Sequence, residues 1–385
     1  MSDHSMIEWT DATWNPITGC SIHSPGCINC YAMDLAGTRL KNHPSRVGLT
    51  KDSKTGPVWT GEVRFNEGWL TQPLHWRKPR MVFVCAHGDL FHEDVPDAWI
   101  DRVFAVMALA PQHTFQVLTK RAKRMREYLD HCEASGRIAL LADELWGTHI
   151  APGSKGYLHE HVTRDDEGLK DVDIDLNPWP LPNVWLGVSA ERQQEANERI
   201  PELLAAPAAI RFVSLEPLLD HISLHALNLG TPTPSNALRG VKCVPDDSAD
   251  GFHNEPTPKL DWVIVGGESG DRARPMHPDT ARSLRDWCQA SRVAFFFKQW
   301  GEYLPVGQSL PDCGKVHGAT AVKPGRMKLH YGGSRQHAPK YAFAEHGVEI
   351  ASTDDGRLTY RVGKKKAGRL LDGVEHNGMP EKHSA

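Results

Sequence analysis

"MVFVCAHGD" (residues 81–89) runs apolar from Met81 to Ala86 and then breaks into His87, Gly88 and Asp89. A short, near-continuous run of β-branched and aromatic residues predicts a strand buried on both faces, as in a parallel sheet. The signature recurs in "TFQVLTKR" (114–121), "NVWLGVSAE" (183–191), "IRFVSLEPL" (210–218), "DWVIVGGESG" (261–270) and "VAFFFKQWG" (293–301). Each run ends on polar groups: Thr119-Lys120-Arg121, Ser189, Glu216, Gly267-Glu268-Ser269 and Lys298-Gln299.

Helical patterns separate these runs. Trp99, Val103, Val106, Met107 and Ala110 share one face, as do Met125, Tyr128, Leu129 and Cys132. Ala196, Ile200, Leu203 and Leu204 repeat the spacing around Pro201, and Leu284, Trp287 and Cys288 repeat it again. Alternating strands and helices predict an α/β fold of βα units, either a barrel or a doubly wound sheet, with function at the carboxyl ends of the strands. The expected organisation is one such α/β domain over 1–301, with insertions at about 144–182 and 228–260. A small C-terminal extension over 302–385 would hold a hairpin and a basic turn within "YAFAEHGVEIASTDDGRLTYRVGKKKAGRLLDG" (341–373). No internal repeat is visible.

The chain has 385 residues, is 40% hydrophobic and carries a formal charge of −4, so any basic surface must be local. No apolar stretch approaches the roughly 18 residues of a membrane span. The beginning, "MSDHSMIEWTDATWNP", lacks a signal-peptide pattern, and the expectation is a soluble cytoplasmic protein without membrane contact.

Of eight cysteines, Cys20, Cys27 and Cys30 cluster in "TGCSIHSPGCINCYA" (18–32), while Cys85, Cys132, Cys243, Cys288 and Cys313 are scattered. Clustered thiols in a reducing compartment are metal ligands or redox groups more often than disulfides. A zinc site would read Cys20-x2-His23-x3-Cys27-x2-Cys30. Three thiolates without His23 would instead leave one iron of a [4Fe–4S] cluster open to a small molecule.

"NPITGCSIHSPGCINCYA" (15–32) resembles the cluster loop of radical S-adenosylmethionine (SAM) enzymes, notably the spore photoproduct lyase-like branch, matching it in Asn15, Pro16, Gly19, Cys20, Cys27, Cys30, Tyr31 and Ala32. The chain is more similar still to the phage-encoded three-Cys-motif proteins. The matching stretches are "IEWTDATWNPITGC", "PGCINCYA", "DLFHEDVP", "VLTKRAKRM", "WLGVS", "VSLEPLL", "WVIVGGESG", "FFFKQWG" and "GKKKAGRLLDG", which run from residue 7 to 373. The first cysteine interval is six residues where the usual radical SAM motif has three, Asn29 stands where an aromatic is usual, and the Gly-Gly-Glu motif comes late, at Gly266-Gly267-Glu268.

The resemblance implies an α/β fold with a partial (βα) barrel of radical SAM type over 1–301, in which Cys20, Cys27 and Cys30 hold a [4Fe–4S] cluster that cleaves SAM reductively, fed by an external electron donor. It implies SAM contacts at Gly88, Asp89, Lys120, Ser189 and Tyr31, with Asp89 near the ammonium, Lys120 near the carboxylate and Ser189 near the ribose. Glu216, Glu268, Lys298 and Cys85 are the catalytic candidates. Ion pairs of the two glutamates with Lys298 or Arg272 are the structural alternative, and for Cys85 the alternative is a buried thiol. Nucleic-acid modification or repair is the implied activity, with phosphate contacts at Arg361, Lys364, Lys365, Lys366 and Arg369, and a three-Cys-motif partner protein is implied by the family name. Most of the twelve tryptophans read as core or rim rather than base-stacking residues. Two rivals remain: a zinc-stabilised nucleic-acid or partner-binding protein, and an iron–sulfur electron-transfer or sensing protein.

Overall fold

The computed structural model describes residues 5–149, 155–164, 170–228, 234–245, 252–305, 308, 340–343, 349–352 and 358–381. Cys313 and parts of both expected insertions lie outside them. Seven strands form the central sheet: β1 (Ala12–Trp14), β2 (Met81–Val84), β3 (Thr114–Thr119), β4 (Val184–Ser189), β5 (Ile210–Leu215), β6 (Trp262–Gly266) and β7 (Ala294–Gln299). All pair in parallel and lie side by side in chain order. Sequential parallel order with crossovers of one hand carries the helices to one face, and the sheet curls into a half-barrel.

Alternation divides the strand residues between two apolar layers. Phe115, Val117, Val184, Leu186, Val188, Val213, Leu215, Val263, Val265 and Phe297 belong to the large core that includes the helices. Their neighbours Phe83, Trp185, Ile210, Phe212, Trp262, Ile264 and Phe296 pack with Trp9 on the concave face. With both faces buried, the strands lose the polar–apolar alternation of a one-sided sheet and read as continuous apolar runs. Aromatic rings plug the floor of the half-barrel: Trp9–Phe83 centroids are 4.9 Å apart, Phe212–Trp262 5.6 Å and Trp185–Trp262 6.0 Å. Gly187 makes room for this plug, because a Cβ there would lie 2.4 Å from the Phe212 ring.

The convex layer comprises α2 (Asp97–Ala108), α3 (Ala122–Asp130), α4 (Ala134–His149), α5 (Gln193–Ala205) and α6 (Pro278–Ser291), while α1 (Tyr31–Gly37) follows the cysteines. Helix α5 passes through Pro201. Helix α3 ends at Asp130, so Cys132 lies outside it and is exposed. Helix α4 is absent from the sequence-based expectation and runs past residue 144. Its buried stripe is short and mostly small (Ala134, Ile138, Ala139, Ala142), a weak periodic signal. The 144–182 segment also contains an antiparallel pair, Leu158–Arg164 with Lys170–Leu176, and the 228–260 segment contains three short antiparallel strands. Charged residues in most of these strands obscure their pattern.

Beyond residue 302, Tyr303–Pro305, Leu358–Arg361, Glu349–Ser352 and Lys340–Phe343 form a four-stranded antiparallel sheet, in that order, rather than one hairpin. The following segment covers the open edge of β7. Phe297 N–H donates to His376 O at 2.9 Å, and the indoles of Trp300 and Trp262 donate to Leu370 O and Gly378 O at 2.8 Å each. Among the described residues no helix is long and apolar enough to cross a membrane.

Candidate functional site

At the carboxyl ends of β4–β7 the concave face turns polar, with Ser189, Ser214, Glu216 and Lys298 following the aromatic plug. The cysteine loop (20–30) lies over the strand ends. It leaves β1 through a close backbone crossing, in which Gly19 (φ +95°) donates to His87 O at 3.2 Å. A Cβ on Gly88 would stand 3.0 Å from Ile17 O, so the glycine expected to contact SAM is needed first for this crossing.

All three loop cysteines are free thiols, Cys27 buried and the others half-buried. Each sulfur has different donors nearby. Cys20 Sγ receives Arg121 Nη1–H at 3.4 Å, Cys27 Sγ lies 3.9 Å from Ser24 Oγ, and Cys30 is served by the amides of Met33 and Ala32. Burial, then Asp89, pushes the Cys20 thiol up to about 12, with Arg121 opposing and Cys30 and Cys27 adding to the rise. Burial likewise raises Cys30, against the amides of Met33 and Ala32. Buried thiols such as Cys20 and Cys30, whose ionisation burial disfavours, gain from a bound metal that takes the thiolate charge, so the loop offers a donor set suited to a metal centre. Among the described residues, no three His, Cys, Asp or Glu side chains are gathered tightly enough for a single ion. His23 is exposed. The loop covers part of its ring, and that desolvation, then Arg121 and Arg199, lowers its pKa.

Residues from distant strand ends clamp the loop. Glu191, fully buried just beyond β4, accepts from Ser24 Oγ, from Gly26 N–H at 2.9 Å, and from Lys120 Nζ and Arg199 Nη1 at 3.1 Å each. Burial alone would raise its pKa, but the two cations and these hydrogen bonds hold it down to about 2. Arg121 donates to Ser21 Oγ at 2.7 Å as well as to Cys20, and His92 lies 2.9 Å from the same hydroxyl. Arg274 donates to Pro25 O at 3.1 Å, and Asn29 to Arg272 O at 2.9 Å.

The remaining candidates fall into two groups. Asp89 is buried, and its oxygens accept from Thr119 Oγ1 (2.6 Å), Phe91 N–H (3.0 Å), Lys120 N–H (3.2 Å) and Arg121 Nη1 (3.2 Å), so it ties β2 to β3. Lys120 serves Glu191, and Ser189 is buried at the end of β4. Tyr31 donates to Ala86 O at 2.6 Å. Glu216 pairs with Lys298 (Oε1–Nζ 3.0 Å) and accepts from Ser214 Oγ at 3.0 Å. Gly266 gives that carboxylate room, since a Cβ there would lie 2.4 Å from Glu216 Oε1. Burial, then Cys30 and Glu216, raises the pKa of the Tyr31 hydroxyl.

Glu268 stands apart: it is buried and paired with Arg274 (Oε2–Nε 2.8 Å, Oε1–Nη2 2.6 Å), where the sequence had suggested Lys298 or Arg272. Cys85 packs in the convex core with Ile17 and Leu90, with a left-handed backbone (φ 54°). Lys364, Lys365 and Lys366 are exposed on a short helix, whereas Arg369 lies over the Phe296 ring at 5.1 Å and donates to Asn377. Arg361 donates to Asp271 O at 2.6 Å.

The sequence-based selection missed Glu191, Arg121 and Arg274 as site residues, although Arg121 and Glu191 end the quoted runs at 121 and 191. It also passed over Arg46, 3% exposed, which donates to His87 Nδ1 at 2.7 Å. Burial and Arg46 push His87 down to about 4, so the ring is neutral with Nδ1 as acceptor. A cleft of about 580 Å³ opens beside Cys30, lined by Ile28, Asn29, Tyr31, Asp34, Pro57 and Arg272 among others.

A family model described as "Protein of unknown function (DUF5131)" matches residues 4–380. No curated protein and no solved structure matches the chain.

Proposed function

The chain belongs to the DUF5131 family, and we propose that it is an iron–sulfur enzyme of the radical SAM type acting on nucleic acid. The observation that carries this reading is the placement of three free thiols on one loop, clamped over the carboxyl ends of a parallel half-barrel. Ligands of one zinc ion converge to sulfur–sulfur separations of about 4 Å, whereas thiolates on separate irons of a cube stand further apart. The exposure of His23, which a closed Cys3His zinc site would need as its fourth ligand, favours the cube.

Cys20, Cys27 and Cys30 would hold the cluster, which when bound supplies one electron to SAM. The protein's own contribution is geometric and electrostatic. Glu191 and Arg274 fix the loop, the aromatic plug closes the floor against water, and Ser189 and Ser214 offer hydroxyls at the rim. Glu216, which accepts from Lys298 Nζ and Ser214 Oγ, is the proposed acceptor for a donor group of the ligand. Glu268 and Cys85 are assigned positioning and packing roles. Nucleic acid is proposed as the substrate class on the strength of the exposed Lys364, Lys365 and Lys366.

Anaerobic purification with iron, sulfide and zinc analysis tests the reading. About four irons per chain, with visible absorption that bleaches under dithionite, is the expected result. One tightly bound zinc and no such absorption after iron–sulfide reconstitution would overturn it. A loaded cluster that leaves SAM intact under strong reduction would instead mark an electron-transfer or sensing protein.

A further inference from the structure

The three loop sulfurs differ in what donates to them: a guanidinium at Cys20, a hydroxyl near Cys27 and backbone amides at Cys30. Among the described residues, Arg121 is the charged side chain whose N–H reaches a cysteine sulfur. Its side chain is 3% exposed and locked in place. Nη1 also meets Asp89 at 3.2 Å, Nη2 meets Ser21 at 2.7 Å, and Nε meets both Glu93 oxygens at 3.3 Å. A charge-assisted donor is roughly twice as strong as a neutral one, and burial protects it from screening by salt.

We propose that Arg121 is a positioning residue that sets the reduction potential of the cluster through Cys20, its charge and N–H donor favouring the reduced, more negative state. This inference rests on the iron–sulfur reading above. Hydrogen bonds to cluster sulfurs and net local charge are the levers by which a protein tunes such a centre. Two carboxylates touch the same guanidinium, and they work in the opposite sense. Asp89 is buried with it, whereas Glu93 is 56% exposed and partly screened. The six-residue interval after Cys20 separates this sulfur from the Cys27–Cys30 turn, so Arg121 acts on one corner of the site.

The test is the midpoint potential of the loaded protein, followed optically under anaerobic titration, in wild type, Arg121→Gln, Arg121→Lys and Glu93→Gln. Arg121→Gln should lower the reduced-to-oxidised ratio at fixed potential about tenfold, a shift of about 59 mV to more negative values for one electron. Arg121→Lys should fall between that variant and wild type, and Glu93→Gln should move a smaller distance to more positive values. Shifts of opposite sign at two partners of one ion pair would not follow from loosened packing alone. Loaded proteins with coincident midpoints would overturn the inference and leave the cluster reading standing. A wild type that loads no iron would instead sink that reading. If Arg121→Gln fails to load, Glu93→Gln decides the matter, an unchanged or more negative midpoint overturning the proposal.

Discussion

The buried carboxylate of Glu191 accepts the amide of Gly26 at 2.9 Å, joining the end of β4 to the middle of the cysteine loop. Lys120 and Arg199 complete the contact, so one glutamate pairs with two cations and fixes a loop from a remote part of the chain.

Replacing Glu191 with Ala should therefore cost roughly 3–5 kcal/mol in denaturant unfolding, because it strands buried cations. The same group predicts a pH dependence. Its folded pKa, about 2, lies below an unfolded value of about 4.3. Its stabilisation is fully present above the unfolded value and is lost as pH falls through the folded one. Wild type should lose stability between about pH 4.5 and 2, and Glu191→Gln should lose less over that window, measured by denaturant midpoints at each pH. Equal slopes would refute the assignment.

Gly187→Ala tests the concave plug. The added methyl group meets the Phe212 ring at 2.4 Å, and that ring is boxed in by Trp262 at 5.6 Å. Overpacking should cost roughly 1–3 kcal/mol, read from thermal or denaturant unfolding. A neutral result would mean that the plug yields, contrary to its close packing.

Asp372 anchors the segment that covers β7. It bonds Arg282 and Arg285 on α6 at 2.7 Å each and Gln308 at 2.9 Å, and the Arg282 bond leads in holding its carboxyl far below the usual range. Asp372→Ala should accelerate hydrogen exchange of the Phe297 and Trp300 amides roughly tenfold, with little change at Ile264 in the neighbouring strand. Uniform acceleration across the sheet would argue for global destabilisation instead.

If nucleic acid binds through the basic turn, replacing Lys364, Lys365 and Lys366 with Ala should reduce the salt dependence of binding by up to about 3 in logarithmic slope. Arg369→Ala should lower stability and leave that slope nearly unchanged, because its guanidinium is spent on Phe296 and Asn377. Equal slopes for triple mutant and wild type would remove this surface from the interface.

The amino-acid sequence by itself determined the sheet. Six of its seven strands are legible as apolar runs, because a strand buried on both faces needs no partner information to declare itself. The three-residue β1 was not, being too short to show a period, and α4 was not, because its buried stripe is small. The polar strand ends were legible as a group, and so was the cysteine cluster. What only the tertiary structure decided was pairing. Glu191 clamps Ser24 and Gly26, Arg274 rather than Arg272 or Lys298 neutralises Glu268, and Arg121 reaches Cys20, in each case because chain-ordered strands bring their carboxyl ends to one rim. Local sequence reports which residues tolerate burial. Their partners depend on the curl and register of the sheet, which is a collective outcome of packing.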